Sequence, residues 1–146
     1  LDAQESRGLG DVYKRQAHTL RLHLGLDRHI LGQDGIWRHK IKPPIARDRS
    51  IGVLGLGELG RPVSLFLKKI GFKIFGWSRT EKNISGINCY SGENKFKVLL
   101  KSSDIHVCLL PLTPDTKNIF NKWNITFRIC TASDPFFSNK DIRFNS

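Results

Sequence analysis

Several features that proteins commonly contain are missing from this sequence, and each absence narrows the possibilities. The chain has no methionine, so we expect it to be a piece of a longer protein. No stretch approaches the roughly 20 consecutive apolar residues that a membrane-spanning helix requires. The first residues lack the basic and apolar segments of a secretory signal. These absences favour a cytoplasmic protein that does not engage a membrane.

Cysteine is also scarce, with only Cys89, Cys108 and Cys130 in 146 residues. Their odd number and wide separation do not suit a framework of disulfides, so we expect reduced thiols. Neither these cysteines nor the five histidines have the spacing of metal ligands. The sequence therefore predicts no metal site.

What the chain has in excess is positive charge, with a formal net charge of +11. Residues 1–16 are neutral, whereas residues 17–49, 50–121 and 122–146 carry +4, +5 and +2. A nucleic-acid-binding protein would gather this charge into one stripe or patch, but here it is spread out. Basic groups also suit a protein that attracts anionic small molecules. We expect no nucleic-acid partner.

The first 49 residues are difficult to interpret. Residues 1–16 lack periodicity, and residues 11–16 resemble the translation of a sequencing adapter, so we expect a non-native leader; a natural flexible leader is the alternative. In residues 17–34, leucines alternate with polar residues as in a strand, yet Leu20, Leu24 and Leu31 also share one face of a helix. The pair Pro43-Pro44 predicts a stiff linker.

From residue 50 onward, short apolar strands alternate with helical patterns. Residues 51–54, 73–77, 88–90 and 104–110 are predicted strands, and the last is strongly apolar. Helices are predicted over 59–70 and 96–101, with Gly71 ending the first of them. This alternation predicts a parallel sheet with right-handed crossovers. With four strands, we expect the last one to form an open, aggregation-prone edge.

A G-x-G-x-x-G motif, Gly55 to Gly60, stands between the first strand and the first helix of this region. That context makes the motif a dinucleotide-binding fingerprint. Gly55 permits a tight turn, Gly57 lets a pyrophosphate approach the backbone, and Gly60 lets the helix pack close to the strand. The amides that open the helix would hold the anion, and Glu58 would turn outward to solvent.

The end of the second strand distinguishes between the two nicotinamide cofactors. Enzymes that use NAD usually place an acid there to bind the ribose 2′-hydroxyl. This chain has Ser78, Arg79 and Thr80 instead, and Glu81 comes one residue too late. Arginine is well shaped to bind a phosphate, so the sequence predicts NADPH in preference to NADH.

Three motifs together resemble the D-isomer-specific 2-hydroxyacid dehydrogenases, and most closely their glyoxylate/hydroxypyruvate reductase A branch. The motifs are GVLGLGELG at 52–60, GWSR at 76–79 and CLLPLTPDT at 108–116. Residues 17–23 and 26–28 are similar to the inter-domain helix of that branch, which favours the helical interpretation. Trp37 resembles a residue of the arm that packs in its dimer. The resemblance covers residues 17–121.

The resemblance implies a partial Rossmann-type parallel sheet, the first half of an α/β dinucleotide-binding domain, preceded by an inter-domain helix. The cofactor-binding residues it implies fall in three groups. The pyrophosphate loop is Gly55, Leu56, Gly57, Glu58, Leu59 and Gly60. The ribose-phosphate group is Ser78, Arg79 and Thr80, and the nicotinamide-ribose group is Leu110, Pro111, Leu112 and Thr116. His106, within the fourth strand, is interpreted as a core histidine.

After residue 121 the resemblance stops. The family continues with a substrate-binding Arg and then a Glu and a His that act on the 2-oxo group, whereas residues 122–146 have no such turn. We interpret this tail as frame-shifted or divergent, and the catalytic residues as absent. The resulting division is a leader (1–16), an inter-domain helix with linker and dimer arm (17–49), a partial NAD(P)-binding domain (50–121) and the tail (122–146).

The function implied is that of an oxidoreductase which reduces small 2-oxo acids to D-2-hydroxy acids with NADPH. The full-length enzyme would be a homodimer, and this piece alone would be inactive. Two alternatives remain open: a non-catalytic nucleotide-binding module, and a fragment of a 3-hydroxyacid dehydrogenase. The segment 17–49 and the Leu-Leu-Pro-Leu-Thr-Pro stretch count against the second alternative.

Overall fold

A five-stranded parallel sheet organises the part of the chain that the computed structural model describes, namely residues 3–35, 43–117, 119 and 128–130. Helices α1 (Ala3–Leu24) and α2 (Leu26–Leu31) precede the sheet. After a short 3₁₀ helix (Ala46–Asp48), the remaining elements follow in the order β1 (Ser50–Leu54), α3 (Gly60–Ile70), β2 (Lys73–Ser78), β3 (Asn88–Ser91), α4 (Glu93–Ser102), β4 (Ile105–Cys108) and β5 (Arg128–Cys130). The strand order is β3-β2-β1-β4-β5. The predicted α/β fold class and the first four strands are confirmed.

The central strands β1 and β4 are apolar because both faces of the sheet are covered. Helices α1 and α3 pack on one face, where the largest buried cluster includes Val12, Leu22, Ile51, Val53, Val63, Leu67, Ile105 and Val107. Helix α4 packs on the opposite face, where a second cluster contains Leu54, Trp77, Phe96, Leu99 and Leu100. The sheet is thus the middle of three layers, which is the arrangement that parallel strands require.

Helix α3 ends as the sequence predicts. Gly71 adopts a φ of 106°, and its N–H donates to the carbonyls of Leu67 and Lys68. Since a left-handed conformation favours glycine, the helix stops there and the chain turns into β2.

Residues 17–24 and 26–31 are helical, which confirms the helical interpretation over the strand. The expected common face of Leu20, Leu24 and Leu31 is wrong, because Gly25, with a φ of 66°, separates α1 from α2, and Leu24 is 40% exposed. The helix α1 also crosses residue 16, where the sequence suggested a boundary. Buried positions recur along its length at helical spacing, including Val12, Thr19 and Leu22, and Val12 joins the same cluster as Leu22. The absence of visible periodicity before residue 17 therefore did not prevent helix formation. The foreign origin of residues 1–16 stays a prediction.

The expectation that β4 forms an open edge is wrong. The short strand β5 pairs with it in parallel, with Ile105 opposite Arg128 and Val107 opposite Cys130. The rest of the predicted tail and Trp37 of the predicted dimer arm lie outside the described residues. Of the helices described, none is long and apolar enough to cross a membrane.

Candidate nucleotide-binding site

Three segments meet at the carboxyl edge of the sheet. The N–H of Gly55, just after β1, donates to the carbonyl of Trp77 near the end of β2 at 2.8 Å. On the other side, the N–H of Leu109 after β4 donates to the carbonyl of Leu54 at 2.8 Å. The structure thus brings together the ends of the three strands that carry all the predicted site residues. This edge is where ligands bind in open parallel sheets.

Two glycines of the turn after β1 are required by packing. Gly55 has a φ of 98°, and a Cβ on it would lie 2.9 Å from the carbonyl oxygen of Leu109. A Cβ on Gly60 would lie 1.8 Å from the carbonyl oxygen of Gly55, which is a severe clash. Because neither position has room for a side chain, the turn is tight and α3 begins close against β1.

Gly57 has the opposite surroundings. It is exposed, and nothing lies within 4 Å of the position that a Cβ would occupy. The start of α3 beside it carries no side-chain cap, and Leu59 is the N-cap residue. An open backbone at an uncapped helix start has the space and the positive dipole end that a pyrophosphate needs. The residues present therefore fit the phosphates of a dinucleotide.

Within the same loop, the side chains of Leu56 and Leu59 face the protein interior. Leu56 is 4% exposed and lies over β2, where a Cβ on Gly76 would be 2.7 Å from its Cδ1. Leu59 is half-buried against the larger core cluster, whereas Glu58 is exposed. Leu56 and Leu59, both predicted site residues, can therefore contact a ligand only through their main-chain atoms.

At the end of β2, Arg79 and Thr80 are exposed, whereas Ser78 is 8% exposed. The Ser78 hydroxyl donates to the carbonyl of Thr80 at 2.6 Å. A hydroxyl has a single hydrogen to donate, so Ser78 shapes the turn that carries Arg79. The cation at this strand end is the guanidinium of Arg79.

The loop after β4 is held by its own threonines. The N–H of Thr113 donates to the Thr116 hydroxyl at 2.8 Å, and that hydroxyl donates to the carbonyl of Pro111 at 2.5 Å. Thr116 thus stabilises the loop rather than presenting a free hydroxyl. Leu110 packs partly against the second core cluster, whereas Leu112 is 87% exposed. An apolar side chain this exposed at the carboxyl edge is available to contact a ligand.

A cavity of about 640 Å³ opens between the end of β2, the start of α4 and the loop after β4. It places Arg79 and Thr116 in one lining, which also contains Trp77, Gly92, Glu93, Phe96, Pro114, Asp115, Lys117 and Ile119. Trp77 donates from Nε1 to the carbonyl of Gly92 at 2.9 Å and packs edge-on against Phe96, with centroids 5.1 Å apart. The wall of the cavity near Trp77 is therefore aromatic and rigidly held.

Of the cavity lining after β4, the sequence predicted Thr116 but missed Pro114, Asp115, Lys117 and Ile119. The pair Thr113-Pro114 was the available signal, because a Thr followed by Pro is typical of a helix start. That the loop after β4 lies in the same cavity lining as Arg79 depends on the strand order, which the Thr113-Pro114 pair does not specify.

The two titratable groups of β4 are uncharged at neutral pH, with His106 buried and Cys108 half-buried. His106 has no exposed surface, and burial lowers its pKa to about 4. Burial likewise raises the pKa of the Cys108 thiol. His106 is thus a core residue, as the sequence predicts. Within the described residues, no group of three or more His, Cys, Asp or Glu side chains could hold a metal ion.

Residues 17–127 match the family model described as "D-isomer specific 2-hydroxyacid dehydrogenase, NAD binding domain". The chain belongs to this family. It is 38% identical over 120 residues to the glyoxylate/hydroxypyruvate reductase A of Escherichia fergusonii, which covers 80% of this chain and 38% of that protein. The Yersinia enterocolitica reductase A is 33% identical over 106 residues, covering 73% of this chain and 34% of that protein.

Solved structures of D-isomer specific 2-hydroxyacid dehydrogenases are similar in fold to this chain. One from Xanthobacter autotrophicus Py2, in complex with NADPH and MES, has a TM-score of 0.71 at 35% identity, covering 79% of this chain and 47% of that one. Another from Klebsiella pneumoniae 342 has a TM-score of 0.76 at 30% identity, covering 90% and 43%. The chain spans about a third of the length of the curated relatives it matches.

Proposed function

We propose that this chain forms the NADPH-binding part of an enzyme that reduces small 2-oxo acids to D-2-hydroxy acids. Glyoxylate and hydroxypyruvate are the substrates named for the curated relatives. Membership of a dehydrogenase family supports the oxidoreductase class and a nicotinamide dinucleotide as cofactor. The Xanthobacter autotrophicus Py2 structure contains NADPH, and that of a glyoxylate/hydroxypyruvate reductase from Sinorhizobium meliloti, 34% identical to this chain, contains NADP, which supports the phosphorylated form.

The open turn at Gly57, with Arg79 nearby at the end of the next strand, is the main support for this proposal. Gly57 leaves its backbone accessible beside the uncapped start of α3, where the pyrophosphate would be bound by main-chain amides. The main-chain link between Gly55 and Trp77 keeps the two strand ends together. The adenosine ribose would then pass over the end of β2, with its 2′-phosphate near Arg79.

The nicotinamide would lie toward β4. The exposed Leu112 and the half-buried Leu110 offer apolar contact there, and the threonine-held loop keeps them in place. NADPH, when bound, supplies the hydride for reduction of the 2-oxo group. The chain's own residues bind and orient the cofactor. We assign no catalytic residue within the described part of the chain.

The test of this proposal compares the chain alone with a chimera that restores the missing parts from a related reductase. A positioned acid contributes about 10²–10⁴-fold to such a reaction, and substrate positioning contributes more. We expect the chain alone to give no detectable oxidation of NADPH with glyoxylate or hydroxypyruvate, and the chimera to turn over at least one of them. A Gly57→Val chimera is the matched control and is expected to lose activity.

Turnover that scales with the concentration of the chain alone, after removal of host reductases, would place catalytic residues within it and contradict the proposal. A chimera that binds NADPH but reduces neither acid would favour a non-catalytic nucleotide-binding module instead.

A further inference from the structure

Lys117 lies in the lining of the same cavity as Arg79, but it belongs to a different chain segment. Arg79 follows β2, whereas Lys117 belongs to the loop after β4, and both residues are exposed. Among the residues that the structure describes, they are the only two lysines or arginines in the lining. The cavity thus has a cation at each of two separate chain segments.

The backbone of Lys117 is fixed by the threonine network. Its N–H donates to the carbonyl of Thr113 at 2.8 Å, and the Thr116 N–H donates to the same carbonyl at 3.1 Å. This one-turn arrangement holds the Cα of Lys117 at the cavity before any ligand arrives. A cation whose backbone is already fixed loses less conformational freedom when it contacts a ligand.

Two carboxylates, Glu93 and Asp115, also line the cavity, so the described part of the lining carries no net charge. Lys117 has no salt-bridge partner within the parts of the chain that the structure describes. A phosphate monoester with nearly two negative charges is better balanced by two cations than by Arg79 alone, particularly with carboxylates nearby.

We propose that Lys117 is a second specificity-determining residue for the 2′-phosphate of NADPH, acting with Arg79 from a different segment of the cavity lining. This inference rests on the proposed function, because it concerns the same cofactor. An exposed lysine within a Debye length of a phosphate contributes modestly. We expect loss of the Lys117 charge to weaken binding about three- to tenfold, and only for ligands that have the 2′-phosphate.

The experiment measures dissociation constants of the whole chain for adenosine 2′,5′-bisphosphate and for 5′-AMP, which differ only in the 2′-phosphate. Lys117→Gln is expected to weaken binding of the bisphosphate about three- to tenfold and to leave 5′-AMP unchanged. The loss should shrink at high salt. Lys117→Arg should retain the preference. Lys101→Gln, on an exposed lysine of α4 that does not line the cavity, is the matched control and should change neither constant.

If Lys117→Gln binds both probes as the unmodified chain does while Arg79→Gln loses the preference, the inference about Lys117 is wrong and the proposed function stands. An unmodified chain that binds the two probes equally, or binds neither, would overturn both. We expect the Lys117 variants to fold, because the hydrogen bond from Lys117 to Thr113 uses only the main chain. The thermal unfolding midpoint of each variant checks this.

Discussion

Gly57 and Gly60 lie in the same turn, but their surroundings are opposite. We expect Gly60→Ala to destabilise the protein, because the new Cβ would lie 1.8 Å from the carbonyl oxygen of Gly55. Relief of this overlap requires α3 to move away from β1, and overpacking of this kind costs roughly 1–3 kcal/mol. The free energy of unfolding from urea titration measures the effect.

Gly57→Ala is the matched control for that substitution. Nothing lies within 4 Å of the new methyl group, so the free energy of unfolding should stay within about 0.5 kcal/mol of the original. The same methyl group would obstruct the approach of a pyrophosphate to the backbone. We therefore expect weaker binding of NADPH by this variant. Unchanged affinity would show that the pyrophosphate does not approach the backbone at Gly57.

His106 makes stability depend on pH because its folded form resists protonation. Burial lowers its pKa from 6.5 to about 4, so between these values the unfolded chain binds a proton that the folded chain does not. The contribution of His106 to the free energy of unfolding is fully present above pH 6.5. It falls as the pH decreases toward 4, by about 3 kcal/mol at most. Urea midpoints measured across this range give the slope. The pKa of His23 is lowered by burial and by Arg49, so its contribution has the same sign.

The His106→Gln variant separates these contributions. It removes the titrating group while keeping a polar side chain, so its stability should fall less steeply between pH 6.5 and 4 than that of the unmodified chain. Equal slopes would show that His106 is not the responsible group.

At the scale of single residues, the motif spacing predicts which backbone and charged groups are exposed to a ligand, but it does not predict which contacts the side chains make within the protein. Gly57 and Arg79 are exposed at the expected strand ends. The hydroxyl of Ser78 is bound to Thr80, and Leu56 turns inward over Gly76. Both outcomes depend on the three-dimensional course of a turn. No spacing rule for a linear motif contains that information.

Among the elements, α1 offers a direct test of helix against strand. The alternating leucines would place Leu22 and Leu24 on the same face of a strand, whereas the helix leaves Leu22 8% exposed and Leu24 40% exposed. We expect Leu22→Ala to lose about 2–4 kcal/mol of unfolding free energy, because it empties a core position. Leu24→Ala is the same chemical change on the helix surface and should cost less than half of that. Equal losses would contradict the helix.

The elements most visible in the sequence are those with strong patterns. β1 and β4 are apolar because they are covered on both faces, and Gly71 marks the end of α3. The strand β5 escaped prediction because three residues, Arg128 to Cys130, are too few to establish a periodicity. Its place is set by pairing with β4, a contact between segments far apart in sequence.

For the whole molecule, the site is built from the carboxyl ends of β1, β2 and β4, and all three lie within one continuous sheet. The chain carries these strand ends although it spans about a third of the length of its curated relatives. Cofactor preference can therefore be measured independently of turnover.

The most direct test of the account compares the dissociation constants of the chain for NADPH and NADH. A hydrogen bond to a charged group contributes roughly 1.5–3 kcal/mol, so Arg79 should favour NADPH by about ten- to a hundredfold. The double variant Ser78→Asp/Arg79→Ala removes the cation and adds a carboxylate suited to the ribose hydroxyl, so it should favour NADH. If the unmodified chain binds both cofactors equally, or prefers NADH, Arg79 is only a surface residue and the assignment of NADPH is wrong.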